Sequence, residues 1–401
     1  MPFARLAHTH ALSTSADAFF AVSLAGSLFF NVSLDAARPR VILYLALTVA
    51  PFVIVAPLVG PLVDRFSRAR TGVISLSALV RGILCLFIAG DLRNPFFYPE
   101  TFGVLVLGKG YSVAKSATVP GLVDDPSRLV AANSRLSRIS SLTGVGAGAI
   151  AAGILSLTEA RTVLRLGALV YFTASALALR VPPVEEPPAP PRELERAETH
   201  TPPVTLGASA VTILRASIGF LTFLIAFAFR REGEPIWVYG AVLAAVGVGN
   251  FAATIVTPML RRHWFREEQL FTASLLVAAV SAFLAAGLFS RGTVVVAAIA
   301  VGLAANVGRQ AFDSILQRDA PDVTRGQLFG RYETRFQLAW VIGALIPVTL
   351  SLSARSGLAV LGVVFAVALV ASLVGVSIER SVARRLRRIF NARSAEQRRA
   401  A

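Results

Sequence analysis

Residues 60–70 read Gly60-Pro61-Leu62-Val63-Asp64-Arg65-Phe66-Ser67-Arg68-Ala69-Arg70. Apolar runs flank this charged stretch on both sides, at 42–62 and 71–90. Each is about 20 residues long, the length of a helix that crosses the hydrocarbon core of a bilayer. The charged stretch is therefore a short loop between two membrane-spanning helices. Working outward, similar runs lie near 11–31, 101–120, 132–157 and 162–180. A second set lies near 211–229, 236–257, 269–289, 293–315, 332–352 and 358–378. The expected fold is an all-α membrane protein of twelve transmembrane helices.

Composition agrees. The 401 residues are 55% hydrophobic and only 15% charged, with a mean hydropathy of +0.67. A soluble domain carries about 25% charged residues, so a soluble enzyme and a disordered chain are both excluded. Twelve spans take up roughly 240 residues, which leaves no room for an added catalytic domain. The net charge of +16 fits nucleic-acid binding by number alone, but the arginines are dispersed at span ends and no nucleic-acid partner is expected. The single cysteine, Cys85, sits in an apolar run and allows no intramolecular disulfide. Met1–His10 holds one Arg and no cleavage site, so the first span reads as an uncleaved helix and not a signal peptide.

Residues 181–204 contain eight prolines and five glutamates and read as a flexible linker. They separate an N-terminal six-helix half, 1–180, from a C-terminal one, 205–378, which a basic tail follows at 379–401. A shift of 197 residues pairs Asp125 with Asp322, Arg128 with Arg325, Arg138 with Arg335, and Gly146-Ala147 with Gly343-Ala344. Two pseudo-symmetric halves around a site at the membrane midplane form the architecture of a rocker-switch transporter. With the N-terminus inside, cytoplasmic segments hold 25 of the 37 arginines and the opposite loops hold 9. Positive residues stay on the cytoplasmic side, so both termini and the linker are expected there, in a multi-pass inner-membrane protein.

The 60–70 loop resembles the G-x-L-x-D-R-x-G-R-x-R signature of the major facilitator superfamily. Gly60, Leu62, Asp64, Arg65, Arg68 and Arg70 match, and Ser67 replaces the second glycine. Gly60 lets a neighbouring helix approach closely. Asp64 can cap a helix N-terminus or pair with an arginine across the two halves and latch one conformation. A narrower resemblance, to the lysophospholipid-transporter subgroup, rests on Tyr111-Ser-Val-Ala-Lys115, Gly121-Leu-Val and Ser127-Arg-Leu-Val-Ala-Ala-Asn133, with Ala56-Pro57-Leu-Val-Gly60 upstream. That subgroup shows a Y-S-P-A-K run and then K-L-V-x-A-N. Val113 stands here where its proline is. The resemblance implies a small amphiphilic substrate, with membrane lipids as the other partner.

Ionisable residues inside spans are the candidate site, because the bilayer makes them costly unless they function. Asp17 reads as the only acid deep in a span, and it matches the acidic residue in helix 1 of the family. Lys109 and Lys115 are the only lysines, both in the fourth span. With 37 arginines available elsewhere, a lysine there points to a need for a compact charge. Lying six apart on different faces, only one of them is expected to meet a cavity. Helices 1, 4, 7 and 10 line the central cavity in the family, so the resemblance puts Asp17 and Lys115 in one polar chamber. Arg81, Arg215 and Arg309 are the other cations within spans. Arg81 is expected to pair with Asp17 or snorkel, Arg215 to sit at the inner mouth, and Arg309 to offer its planar fork to a phosphate. Gly144, Gly146, Gly148 and Gly153 form small-xxx-small spacings that read as helix packing. The tail, with eight arginines, reads either as an amphipathic helix on the anionic leaflet or as a solvated basic segment.

No enzyme is expected. There is no phosphate-binding Gly-Lys loop, which leaves proton or sodium coupling in place of ATP. The four histidines, at 8, 10, 200 and 263, lie near tails and loops without metal-ligand spacing. The reading is thus a monomeric secondary transporter of a lysophospholipid or related amphiphile. A proton-coupled drug or metabolite exporter is the alternative, and a transport-inactive membrane adaptor a third.

Overall fold

The computed structural model describes residues 2–28, 70–90, 96–123, 125–182, 202–263, 267–319 and 325–375. Eleven α-helices lie among them. They are α1 (Pro2–Leu28), α2 (Arg70–Gly90), α3 (Phe97–Thr118), α4 (Leu129–Leu157), α5 (Ala160–Ala178) and α6 (Pro202–Arg231). They continue as α7 (Ile236–His263), α8 (Glu267–Gly287), α9 (Arg291–Asp319), α10 (Arg325–Thr349) and α11 (Ala354–Gly375). Each overlaps one predicted span. The predicted span 42–62 lies outside the described residues, as do Gly60, Leu62, Asp64, Arg65 and Arg68, linker residues 183–201 and the tail from 376. Arg70 opens α2.

Seven of the described helices are long and apolar enough to cross a membrane. α2 shows how the sequence sorts its faces. Ile74, Ala78, Arg81, Cys85 and Ile88 recur at helical spacing and are buried, whereas Leu76, Leu79, Ile83 and Phe87 on the other face are exposed. In water an exposed stripe of that kind is a liability; against lipid it is the expected surface. A single large core joins residues of α6–α11 to Val113 of α3, and three smaller cores hold α1–α5 together.

Two helix crossings are unusually close. At the α6–α10 crossing, a Cβ on Gly343 lies 2.6 Å from the carbonyl carbon of Ala216, and one on Gly219 lies 2.9 Å from that of Trp340. At the α7–α9 crossing, a Cβ on Gly249 lies 2.7 Å from the amide of Leu303, and one on Gly302 lies 3.0 Å from Cα of Val246. Only glycine lets these backbones meet. The packing glycines are therefore not those singled out from sequence. Among the described residues, a Cβ on Gly144, Gly146, Gly148 or Gly153 meets nothing within 4 Å. Spacing alone cannot tell which face of a helix has a neighbour, and this stretch of α4 faces open space.

Candidate functional site

Charged side chains from α1, α2, α3, α6, α9 and α10 gather between the two groups of helices. In the first group Arg81 is fully buried and donates through Nη1 to Asp17 at 2.8 Å. Its Nη2 donates to Ser13 Oγ at 2.9 Å and its Nε to the Ser77 carbonyl at 3.2 Å. The guanidinium also lies over the rings of Tyr171 and Tyr111, at 4.6 and 5.2 Å. Of the two roles expected for Arg81, it takes the pairing with Asp17. The Asp17 side chain remains 46% exposed and also accepts from the Tyr171 hydroxyl.

His10 departs from the sequence reading. α1 starts at Pro2 and not near 11, so His10 is a buried helical residue and not part of a tail. Its Nε2 lies 2.7 Å from Ser140 Oγ and its Nδ1 3.0 Å from the Tyr111 hydroxyl. Ser140 spends its single hydrogen on the Leu136 carbonyl, so it accepts from Nε2–H, and Nδ1 accepts from Tyr111. His10 thus ties α1 to α3 and α4.

The second group holds a denser cluster. Arg309 Nε donates to both carboxylate oxygens of Asp313, at 2.9 and 3.0 Å, and its Nη1 donates to Glu333 at 2.7 Å. The Phe336 ring lies 5.4 Å from its guanidinium carbon. Asp17 is therefore not the only acid deep in the protein. Asp313 and Glu333 are 17% and 16% exposed. They were missed because hydropathy places them at the ends of their spans, whereas α9 runs on to Asp319 and α10 begins at Arg325. Two signals were available: Arg309 and Asp313 stand at i and i+4, the spacing of a helical ion pair, and a cation within a span demands a partner. The fork of Arg309 is thus largely occupied by protein carboxylates.

Lys109 lies within electrostatic range of both Asp17 and Glu333, and Arg215 within range of Glu333 and Arg309. Both lysines of α3 therefore stand in the central region, and Arg215 belongs to the acid cluster. Its Nε is buried without a hydrogen bond among the described residues. Among the described residues, five basic side chains (Arg81, Lys109, Lys115, Arg215 and Arg309) and three acidic ones (Asp17, Asp313 and Glu333) gather in this region.

A polar cavity of about 330 Å³ lies between the groups. Lys115, Ser137 and Ser140 line it from the first group, and Asn250, Asn306 and Arg309 from the second. Asp17 is not among its lining residues, so it and Lys115 do not share this chamber. A larger hollow of about 640 Å³ between α8 and α9 is walled mainly by leucine and valine and holds no ionisable group.

One end of the cavity is sealed by bonds across the groups. Asn133 donates to Gln317 at 2.7 Å and to Ser314 at 3.2 Å, and Ser134 donates to Gln310. Asn306 donates to Ser137 at 3.2 Å, and Arg138 Nη2 to the Thr254 carbonyl at 2.9 Å. The residues involved lie in the first third of α4 and the later halves of α7 and α9.

Comparison with known proteins fits this arrangement. The chain is 30% identical to an uncharacterized protein of Mycobacterium leprae (strain TN), over 83% of this chain and 64% of that protein. It thus spans less than two thirds of that relative's length. It is 27% identical to an uncharacterized MFS-type transporter of Mycobacterium tuberculosis (strain ATCC 25618 / H37Rv), over 86% and 85% of the two chains. In fold it is similar to a bacterial homologue of the iron transporter ferroportin in an outward-facing state, with a TM-score of 0.70, 18% identity and coverage of 94% and 100%. It is similar to the human organic anion transporter MFSD10 (TETRAN) with a TM-score of 0.70, 14% identity and coverage of 93% and 100%. The family model of the Major Facilitator Superfamily matches residues 11–344, and the chain, a multi-pass membrane protein, belongs to that family of transporters.

Proposed function

We propose that the chain is a secondary active transporter that moves a lysophospholipid or related amphiphile across the cytoplasmic membrane by alternating access. The observation that carries this reading is the polar cavity between the two groups of helices, with Lys115 on one wall and Arg309 on the other. A site walled by two bodies changes its exposure when they rock against each other. The Tyr111–Lys115 and Ser127–Asn133 runs, with their subgroup resemblance, supply the substrate class. The two groups are then the pseudo-symmetric halves of a twelve-helix transporter. On the arginine partition, the bonds that seal the cavity lie at the cytoplasmic end, so this conformation is open to the outside. Native mass spectrometry of the purified protein is the test. Retained lysolipid supports the reading; a protein that carries only ordinary two-chain lipids, and neither binds nor moves added lysolipid, refutes it.

A second reading, the proton-coupled exporter, is favoured by one feature. Asp17 is half-exposed while its partner Arg81 is sealed from solvent, an arrangement in which a carboxylate can exchange a proton without unpacking the core. On that reading Asp17→Asn abolishes proton-coupled dye efflux and Lys115→Ala has a mild effect. On the lysolipid reading both lose lysolipid movement.

A further inference from the structure

The donors that line the 330 Å³ cavity divide into those already committed and those still open. Ser140 and Ser141 donate to carbonyls of their own helix, and Asn306 donates to Ser137 and to the Asn250 carbonyl. Arg309 has given Nε and Nη1 to Asp313 and Glu333. Besides the Ser116 hydroxyl and Arg309 Nη2, three lining groups keep their hydrogens. The Lys115 ammonium makes no hydrogen bond or ion pair among the described residues; the Asn250 amide nitrogen makes none; and the Ser137 hydroxyl accepts from Asn306 but has no acceptor of its own. Lys115 and Ser137 come from one group of helices and Asn250 from the other. Among the described residues no carboxylate lines the cavity. Asp313 and Glu333 attract Lys115 from beyond the lining while Arg309 repels it, but no carboxylate bonds to it among the described residues.

An ammonium held in such a chamber without a directly bonded acceptor is costly. Water can solvate it in part, but neighbouring donors with no acceptor make the whole lining complementary to an acceptor-only, negatively charged group. We infer that the cavity is an oxyanion site in which Lys115, Ser137 and Asn250 donate to a phosphate group. Arg309 serves as a strut, fixed by its two carboxylates, and adds field more than ligation. Ligand pockets span about 300–1,000 Å³. The cavity sits at the bottom of that range and takes a head group or a free phosphate, not an acyl chain. Because the ligand touches both walls, its binding also ties Lys115 and Ser137 to Asn250 across the line along which the groups must part.

This inference rests on the proposed function only for the source of the phosphate. The test measures binding of three probes to the purified full chain in detergent: lysophosphatidylglycerol, which is anionic; lysophosphatidylcholine, whose head is neutral overall; and glycerol phosphate, which has no chain. The oxyanion site predicts that lysophosphatidylglycerol binds at least tenfold tighter than lysophosphatidylcholine and that added salt narrows the gap. A charge-assisted hydrogen bond is worth enough that Lys115→Gln weakens the anionic probe roughly ten- to a hundredfold. Asn250→Ala weakens it less, and neither variant alters lysophosphatidylcholine binding to the same extent. Melting of the ligand-free variants checks that they fold, and if Lys115→Gln does not, Asn250→Ala decides alone. Lysolipid binding that ignores head charge and survives both substitutions overturns the oxyanion site and leaves the amphiphile reading intact. Tight, Lys115-dependent binding of glycerol phosphate with no gain from an acyl chain upholds the site and overturns the amphiphile reading. Binding of none of the three overturns both.

Discussion

Consider what one methyl group does at two glycines of similar sequence context. Gly343→Ala places a Cβ 2.6 Å from the Ala216 carbonyl carbon, and ordinary contact begins near 3.4 Å. The α6 and α10 backbones must therefore part by at least about 0.8 Å. The obstacle is backbone and cannot swing aside as a side chain can. Overpacking of this kind costs about 1–3 kcal/mol. Gly144→Ala meets nothing within 4 Å among the described residues and costs no packing there. Both substitutions gain about 1 kcal/mol of helix propensity, so that contribution cancels between them, and the difference isolates the crossing. Gly343→Ala should thus be about 1–3 kcal/mol less stable than Gly144→Ala. At a scale of about 2–4 °C per kcal/mol for mid-sized proteins, their melting points in detergent should separate by several degrees. Because α10 also carries Glu333, Gly343→Ala should loosen substrate binding as well. A Gly343→Ala protein that melts at or above Gly144→Ala would refute the close crossing.

Two further outcomes follow from the same geometry. Asp17→Asn strips the counter-charge from a fully buried guanidinium, a change that costs about 3–5 kcal/mol when nothing else compensates; the Ser13, Tyr111 and Tyr171 contacts reduce it. Adding Arg81→Met should therefore recover part of the lost melting temperature, and a double variant as unstable as the sum of the singles would count against the pairing. For the rocking motion, the proposed twelve-span topology makes α4 and α7 spans five and eight, running in opposite directions, and Arg138 bonds to Thr254. Six residues further along α4 stands Gly144, and seven back along α7 stands Gly247; a Cβ on either meets nothing within 4 Å among the described residues. In a Cys85→Ser background, cysteines at 144 and 247 should cross-link in active membranes and halt transport, whereas failure to cross-link in any condition would deny that the open side closes.

The spans were legible because the bilayer imposes a length and an apolar composition on every helix that crosses it. The charged loop at 60–70 and the buried cations were legible for the complementary reason that charges stand out against such a background. What hydropathy concealed was the polar end of each helix. His10 precedes the apolar run of α1, and Asp313 and Glu333 lie where the average falls, yet all three sit in continuous helix inside the bundle. Glycine spacing misled for a different reason. Gly144 and Gly148 carry the same local pattern as packing glycines elsewhere, but close contact depends on the opposing helix, as at Gly219 and Gly343. The partners of Arg309 come from 4 and 24 residues away, and only the nearer falls within reach of a helical spacing rule.

The most direct test of the whole account is flux of lysophosphatidylglycerol into proteoliposomes. The account predicts that the wild-type chain moves it, and that Lys115→Gln abolishes movement while the variant remains folded and inserted. A wild-type chain that moves no lysolipid, or a Lys115→Gln chain that moves it at the wild-type rate, would contradict it.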